Sequence, residues 1–269
     1  MGRLSGRVAF ITGAARGQGR THAVRLAEEG ADVVISDICA KVETNGVAAA
    51  TPDELAETAR LVEKTGQRVI SAPVDVRDMD GLAALAEQAV SELGGIDVVV
   101  ANAGILSWGN AWELTEEAWS ELIDINLTGV FHTVKATVPH MIRAKKGGSI
   151  ILTSSSAGLK GQPFTLAYTA AKHGVVGITR GLANELGEYD IRVNSIHPAG
   201  VRTEMMNVDG LFQMIQGKAA TLGPIFMNTL PHESMKPEAV SAVVAFLASD
   251  DSRYLTGAQI PVDLGTLNR

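Results

Sequence analysis

The sequence contains little that would place the protein outside the cell or in a membrane. Cys39 is the single cysteine, so no internal disulfide can form, and no Cys/His cluster indicates structural zinc. No apolar run approaches the roughly 18 residues that cross a bilayer. Residues 8–11 are too short an apolar stretch for the core of a signal peptide. We therefore expect a soluble protein of the reducing cytoplasm.

Positive charge is scarce as well. The 23 Lys and Arg residues are outnumbered by 30 Asp and Glu residues, and no basic run offsets the net charge of −7. We therefore expect no nucleic-acid partner. The histidines show no HxxxH or HxH spacing, so no metal site is predicted; they are His22, His132, His140, His173, His197 and His232.

Short β-branched runs alternate with longer segments of helical period along the 269 residues. This alternation is typical of an α/β protein with a parallel sheet covered by helices on both faces. The predicted strands are Arg7–Thr12, Asp32–Ser36, Arg68–Val74, Asp97–Ala101, Ser149–Thr153, Arg192–Ile196 and Gln259–Val262. The predicted helices are Gly17–Glu29, Pro52–Lys64, Met79–Leu93, Glu116–Arg143, Leu166–Leu186 and Pro237–Ala248. No repeat or linker divides the chain, so we expect one domain over residues 1–269.

Two segments do not fit the alternation. Residues 38–50 form an insertion after the second predicted strand, and residues 204–236 precede the last helix. The second segment is rich in apolar residues, namely Met205, Met206, Leu211, Phe212, Met214, Ile225, Phe226, Met227 and Met235. Such a segment indicates a lid over a hydrophobic substrate, or an element that packs against another subunit. Trp108 and Trp112 are expected in the opposite wall of the substrate pocket.

A glycine-rich turn follows the first predicted strand and opens the first predicted helix. Gly13, Gly17 and Gly19 would let the backbone approach a pyrophosphate, whose charge the helix N-terminus stabilises. A connector that only packs helix on strand is the alternative. Asp37 favours a dinucleotide, because it ends the next strand at the usual distance and would accept hydrogen bonds from ribose hydroxyls.

The same carboxylate predicts NAD rather than NADP. Asp37 would repel a 2′-phosphate, whereas Arg16 beside the turn would attract one. We expect the like-charge contact at the ribose to prevail. An NADP-dependent ketone reductase is therefore the enzymatic alternative.

Polar residues end the third and fourth predicted strands, at the edge where open α/β sheets bind ligands. Asp75, followed by Val76, would accept a hydrogen bond from the adenine amino group. Asn102, followed by Ala103 and Gly104, would contact the cofactor or tie neighbouring strand ends together.

Tyr168 and Lys172 are four residues apart in a predicted helix and therefore share a face. A nearby ammonium would lower the pKa of Tyr168, so that the phenol could exchange a proton with an alcohol or carbonyl. A surface pair without function is the alternative.

Three consecutive serines, Ser154, Ser155 and Ser156, precede this helix, and the residues alone do not say which of them would hold the substrate oxygen.

Asn126 lies inside the long predicted helix Glu116–Arg143, where asparagine is a poor helix former, and Gly129 weakens the helix further. Two roles are open. The amide would either hold a water that relays protons to a lysine or bond to a neighbouring carbonyl.

Taken together, the motifs resemble the classical short-chain dehydrogenase/reductase family over essentially the whole chain. The resemblance is carried by residues 12–19, residues 101–104, Asn126, Ser155, Tyr168 and Lys172. It implies a Rossmann-type, doubly wound, seven-stranded parallel sheet in an α/β/α sandwich, and hydride transfer between NAD(P) and an alcohol or carbonyl. It also implies a homotetramer packed through the long helices.

The resemblance also implies roles for individual residues. Tyr168 would be the acid/base and Lys172 would bind the nicotinamide ribose and lower the tyrosine pKa. Ser155 would orient the substrate, and Asn126 would serve the proton relay. Residues 197–203 resemble the Pro-Gly segment of the family, whose nicotinamide contacts would fall to Pro198, Val201 and Thr203. Two departures are Ala101 in place of a first asparagine and the reversed order Ala199-Gly200.

The insertion is similar to that of the carveol dehydrogenase-like, mycofactocin-associated branch of the family. The similarity lies in Asp37-Ile38-Cys39 and in Thr51-Pro52-Asp53-Glu54-Leu55 after the insertion. It implies an NAD that is held tightly and electrons that pass to an external carrier. The complete set of predicted cofactor contacts is Gly13, Arg16, Gly17, Gln18, Gly19, Asp37, Ile38, Asp75, Val76, Asn102, Ala103, Gly104, Tyr168, Lys172, Pro198, Val201 and Thr203. The predicted substrate contacts are Trp108, Ser155, Gln162, Met205 and Met206.

The leading hypothesis is an NAD-dependent dehydrogenase of a hydrophobic secondary alcohol or ketone, terpenoid-like or sterol-like. A protein that senses NAD without turnover is the alternative from another class. A sensor needs the glycine turn but not the four predicted catalytic side chains, and their presence favours the enzyme.

Overall fold

The described residues of the computed structural model, 2–206 and 209–269, contain one parallel sheet of seven strands. The strands are β1 (Val8–Thr12), β2 (Asp32–Asp37), β3 (Val69–Pro73), β4 (Val98–Ala101), β5 (Gly148–Thr153), β6 (Ile191–Pro198) and β7 (Gln259–Val262). Their order is β3-β2-β1-β4-β5-β6-β7, and all neighbours are parallel. The predicted single-domain, doubly wound α/β fold of Rossmann type is confirmed.

Helices cover both faces of this sheet. They are α1 (Gly17–Glu28), α2 (Pro52–Glu63), α3 (Met79–Leu93), α4 (Glu116–Ile123), α5 (Gly129–Ala144), α6 (Leu166–Leu186), α7 (Asp209–Gln216), α8 (Ala219–Leu222) and α9 (Pro237–Ala248). Alternate residues of each strand face opposite layers, so that Ile11 packs with α1 and α9 whereas Phe10 packs with α3 and α5. Among the described helices, none has both the length and the apolar character needed to span a membrane.

The chain leaves β1 and β4 toward opposite faces of the sheet, because the strand order changes direction between these two neighbours. In open α/β sheets, a crevice forms at the carboxyl ends of such strands. The functional residues that follow the strands are thereby brought to one edge.

The predicted helix Glu116–Arg143 is not one regular α-helix. A five-residue π turn, Asp124–Thr128, separates α4 from α5. Asn126 lies within this turn, so the α-helix is interrupted where the sequence has a poor helix former. Gly129 follows it, and a Cβ there would lie 2.5 Å from Cγ2 of Val76, so the glycine allows a close approach to the end of β3.

The two irregular segments differ in structure. Residues 38–50 contain no helix or strand, whereas residues 204–236 include the short helices α7 and α8, which periodicity did not predict. Val201 and Met235 form an isolated parallel bridge, which fixes the two ends of the second segment to each other.

Candidate active site

A cleft of about 430 Å³ lies at the carboxyl edge of the sheet. Every predicted cofactor contact lines it, and so do Ser155, Gln162, Met205 and Met206. Asn126 and Trp108 are not among its described lining residues. The sequence motifs thus converge on one site although they are spread along the whole chain.

The glycine turn has a backbone conformation and a close packing that side chains at its glycine positions would not allow. Gly13 and Gly17 have φ angles of +66° and +54°, in the left-handed region that favours glycine. A Cβ on Gly19 would lie 2.0 Å from the carbonyl oxygen of Gly13. Oε1 of Gln18 is buried and has no hydrogen-bond partner among the described residues. The free N–H groups of a bare backbone at a helix N-terminus fit the pyrophosphate end of a dinucleotide.

Asp37 and Arg16 have separate partners at the adenosine end of the cleft. The carboxylate of Asp37 accepts hydrogen bonds from the backbone N–H groups of Ala15, at 3.1 Å, and Cys39, at 3.2 Å. The guanidinium of Arg16 instead donates to the carbonyl oxygens of residues 48 and 49 in the insertion, and lies 3.9 Å from the carboxylate of Glu54. Arg16 is therefore engaged by the insertion and by Glu54, whereas Asp37 is held by backbone N–H groups.

A network that the sequence did not reveal holds the insertion in place. The N–H and hydroxyl of Thr44 donate to Oε2 of Glu121 at 3.0 and 2.6 Å. Arg77 bridges Glu121, at 3.2 Å, to Asp75, at 2.7 Å. Burial opposes ionisation of Glu121, but the hydrogen bonds from Thr44 and Arg77 lower its pKa below its ordinary value. These residues lie far apart in sequence, so no local pattern indicated the network.

Asn102 ties β4 to the glycine turn. Its Nδ2 donates to the carbonyl oxygens of Thr12, at 3.0 Å, and Gly13, at 3.1 Å. The backbone N–H groups of Asn102 and Ala103 both donate to Oγ1 of Thr12. Of its two open roles, the tie between strand ends is therefore shown.

Lys172 and Tyr168 lie together at the other end of the cleft. Lys172 is only 3% exposed, and its ammonium donates to the carbonyl oxygen of Thr153 at 2.8 Å. Its Nζ lies 5.6 Å from the centroid of the Tyr168 ring. Burial lowers the pKa of Lys172 to about 8, from an ordinary value of 10.5.

The predicted lowering of the tyrosine pKa is wrong. Burial raises the pKa of Tyr168, and a hydrogen bond with the side chain of Ser155 opposes this only in part. Removing a phenolate from water is costly. The ammonium of Lys172 does not compensate, because it donates to Thr153 rather than to the phenol oxygen.

The three serines have different partners. Ser154 donates to the carbonyl oxygen of Lys172 at 2.9 Å, and Ser156 accepts from Gln162 at 3.1 Å. The hydroxyl of Ser155 accepts from the N–H of Ala157, so its proton remains for a ligand or for Tyr168. The geometry thus favours Ser155, the serine that the family resemblance indicated.

His197 supports the loop that carries Ser155. Its Nδ1 lies 2.8 Å from the carbonyl oxygen of Ser155 and its Nε2 lies 2.9 Å from Oγ of Ser195. A carbonyl only accepts, so Nδ1 carries the proton and Nε2 accepts from the serine hydroxyl. Burial lowers the pKa of His197, which keeps the ring neutral. No local sequence pattern indicated this positioning role, because Ser155 lies 42 residues before His197 in the chain.

Asn126 uses its whole side-chain amide on one neighbour. Oδ1 accepts from the N–H of Ile105 and Nδ2 donates to the carbonyl oxygen of Ile105, both at 2.8 Å. The side chain is fully buried. Of its two open roles, these contacts support the bond to a neighbouring carbonyl.

The prediction that Trp108 and Trp112 form a wall of the substrate pocket is not supported. Trp108 lies between the insertion and the lid, because a Cβ on either Gly46 or Gly210 would come within 2.8 Å of its indole. Trp112 is 80% exposed. Trp108 lies in an irregular loop after β4 and Trp112 in a three-residue 3-10 turn, Ala111–Glu113, and both are too short for periodicity to predict side-chain direction.

The methionine-rich segment lines the cleft only in part. Met205 and Met206 line it, together with the apolar side chains Leu211, Phe212, Ile215 and Phe226. Met235, in contrast, packs in the core and Met227 is exposed. The segment therefore forms the apolar wall that a lid requires, but not every methionine contributes to it.

The chain belongs to the short-chain dehydrogenase/reductase family. A family model described as enoyl-(acyl carrier protein) reductase matches residues 13–266. A putative short-chain type dehydrogenase/reductase of Mycolicibacterium smegmatis is 50% identical, with 99% of each chain covered. The resemblance inferred from the motifs is confirmed.

Two further similarities are closer to a particular enzyme. The (−)-trans-carveol dehydrogenase of Rhodococcus erythropolis is 47% identical, with 99% of each chain covered. A crystal structure of carveol dehydrogenase from Mycobacterium avium in complex with NAD is 46% identical, with a TM-score of 0.95 and full coverage of both chains.

The burial of Lys172 predicts a pH dependence of stability. The folded protein loses a proton from this ammonium near pH 8, whereas the unfolded chain keeps it until about pH 10.5. Between these values the unfolded state binds more protons, so raising the pH favours folding. We expect the free energy of unfolding of the ligand-free wild type to rise relative to Lys172→Met between about pH 8 and pH 10, measured by urea denaturation. The exposed Lys146, changed to Met, is the control and should show no such trend. A wild-type-to-variant difference that stays constant with pH would contradict the assignment.

Proposed function

We propose that the protein oxidises a hydrophobic secondary alcohol of terpenoid or sterol type to its ketone, or catalyses the reverse reaction, with NAD. It is an NAD-dependent oxidoreductase of the short-chain dehydrogenase/reductase type. The observation that carries the finer proposal is the meeting of Tyr168, Ser155 and Lys172 with an apolar wall at one end of the cleft.

The cofactor half of the cleft is built from backbone and from a few polar groups. When bound, NAD supplies the hydride acceptor, or its reduced form the hydride donor. The glycine turn would hold the pyrophosphate and Asp37 the adenosine ribose. Pro198, Val201 and Thr203 would hold the nicotinamide, and Lys172 its ribose.

The acid/base chemistry falls to Tyr168. In the oxidation direction its phenolate would take the proton of the substrate hydroxyl, and in reduction its phenol would return it. Ser155 would fix the substrate oxygen, since its hydroxyl proton is not used by the protein backbone. Lys172 would favour the phenolate through its charge when the site is occupied. Asn126 would act as a positioning residue, because its amide fixes the π turn to Ile105.

The lining of the substrate half supports an apolar substrate. The lid contributes the apolar side chains Met205, Met206, Leu211 and Phe226 to the lining, which also includes the carboxylates of Glu204 and Glu233. The relative from Rhodococcus erythropolis is named for (−)-trans-carveol, a small apolar secondary alcohol. Gln162 is a polar residue at the same end, where it would limit how the alcohol is oriented.

The predicted homotetramer and external electron carrier are part of the same proposal. Three exposed apolar side chains, Trp119 on α4, Phe131 on α5 and Leu166 on α6, support packing between subunits through these helices. The carrier is proposed from the family resemblance together with slow exchange of the cofactor.

Removal of the phenol should separate turnover from binding. We expect Tyr168→Phe to reduce oxidation of carveol-like alcohols by about a thousandfold or more, because proton transfer by a positioned group supplies such factors. NAD affinity, measured by calorimetry, should stay within about threefold, since the ring is retained. Tyr189→Phe, at an exposed tyrosine, is the control. Activity in Tyr168→Phe equal to that of the control would remove Tyr168 from the mechanism, and absence of turnover in the wild type would favour an NAD sensor.

Neutralising Asp37, whose carboxylate would bind the adenosine ribose, should weaken the discrimination between NAD and NADP. We expect Asp37→Asn to lower the ratio of NAD to NADP affinity at least tenfold, because a buried like-charge contact is removed. Asp32→Asn, at the opposite end of β2, is the control and should leave the ratio unchanged. A wild type that binds NADP tenfold better than NAD would show that the role given to Asp37 is wrong.

The insertion should slow the release of NAD. We expect mass analysis of the denatured, purified protein to detect retained NAD, because Arg16 and the Thr44–Glu121 pair hold residues 38–50 beside the cleft. Glu121→Gln should retain less, whereas Glu116→Gln, exposed on the same helix, should match the wild type. A wild type that carries no NAD and turns over freely with added NAD would contradict tight retention.

A further inference from the structure

Lys160 is a charged residue with an unusual set of partners. It follows the Ser155 loop by one short turn and is half-buried. Its ammonium donates to three carbonyl oxygens, those of Ile225 at 2.9 Å, Thr266 at 3.0 Å and Arg269 at 3.0 Å. An ammonium has three N–H donors, so all of them are used. The family motifs did not include this lysine.

The three acceptors belong to two segments that meet over the cleft. Ile225 is in the lid, next to Phe226, whereas Thr266 and Arg269 are in the C-terminal segment, which we define as residues 263–269. Phe226 and Thr266 both line the cleft. One side chain thus joins the lid and the C-terminal segment to the loop that carries Ser155.

Further bonds connect the lid with the C-terminal segment. The backbone N–H groups of Thr229 and Leu230 both donate to the carbonyl oxygen of Leu264 at 3.0 Å. The hydroxyl of Thr266 donates to Oδ1 of Asn228 at 2.7 Å. Asp263 also stabilises the C-terminal segment, because its carboxylate accepts hydrogen bonds from the N–H groups of residues 265 and 267. These bonds make the lid end and the C-terminal segment one unit, and Lys160 attaches that unit to the catalytic loop.

We infer that Lys160 is a positioning residue that sets the distance between the lid and Ser155, and so determines how large a substrate the enzyme accepts. The inference rests on the proposed function for the substrate, but the attachment of the lid does not. Charge-assisted hydrogen bonds are stronger than neutral ones, so their loss leaves the lid end free to move away from the site. Phe226, the neighbour of Ile225, then no longer forms a fixed part of the apolar lining of the cleft.

The attachment is tested by hydrogen exchange of Lys160→Met in the NAD-free protein. Methionine keeps the length of the side chain and removes all three donors. We expect the amides of Thr229 and Leu230 to exchange at least about tenfold faster, because they lie where the lid meets the C-terminal segment, and the ammonium bonds both parts, at Ile225 and at Thr266. Amides of β1 should be unchanged, and the exposed Lys146→Met should behave as the wild type. Unchanged exchange in Lys160→Met would overturn the attachment whatever the substrate is.

The specificity is tested by kinetics on two alcohols, carveol and cyclohexanol. We expect Lys160→Met to raise the KM for carveol about tenfold while changing kcat and NAD affinity by less than about threefold. The KM for cyclohexanol, which needs less of the lid, should change little. Equal effects on both alcohols, or on NAD affinity, would overturn the specificity role. Failure of the wild type to oxidise either alcohol would overturn the proposed function and leave the exchange result to decide the attachment.

Discussion

The buried ammonium of Lys172 constrains the elements around the active site. Its loss of hydration is the cause of its lowered pKa, and its only hydrogen-bond acceptor among the described residues is the carbonyl oxygen of Thr153. Such a charge is costly unless fixed dipoles surround it. The end of β5 supplies that carbonyl, and Ser154 donates back to the main chain of Lys172.

The Rossmann-type sheet supplies positions, whereas the segments outside the βα pattern supply specificity. The insertion lines one end of the cleft and is held by Glu121, and the lid lines the other end and is held by Lys160 and the C-terminal segment. Trp108 packs between them, against Gly46 and Gly210. The insertion and the lid are therefore in contact through Trp108, although they lie about 160 residues apart in the sequence.

The strands and most helices could be predicted because apolar periodicity is a local property. That Asp37, Asn102 and the glycines line one cleft could be predicted as well, since they lie at or just after the ends of strands that must share one edge. Asn126 and Gly129 indicated where the long predicted helix is weakest. They did not reveal that a π turn forms there, because that turn depends on contacts with Ile105 and Val76. The direction of the Tyr168 pKa was missed because spacing reports proximity to Lys172 and not the burial of both groups.

The parallel α/β architecture, the family and the residues that meet at the cleft could be predicted from the sequence alone, because each rests on local periodicity or on a short motif. The orientations of those residues became visible only in the folded structure. His197 holds the loop of Ser155, Arg16 turns toward the insertion, and Lys160 attaches the lid. All three depend on contacts between segments remote in the chain, whose directions are set by packing and by the need of buried polar groups for partners.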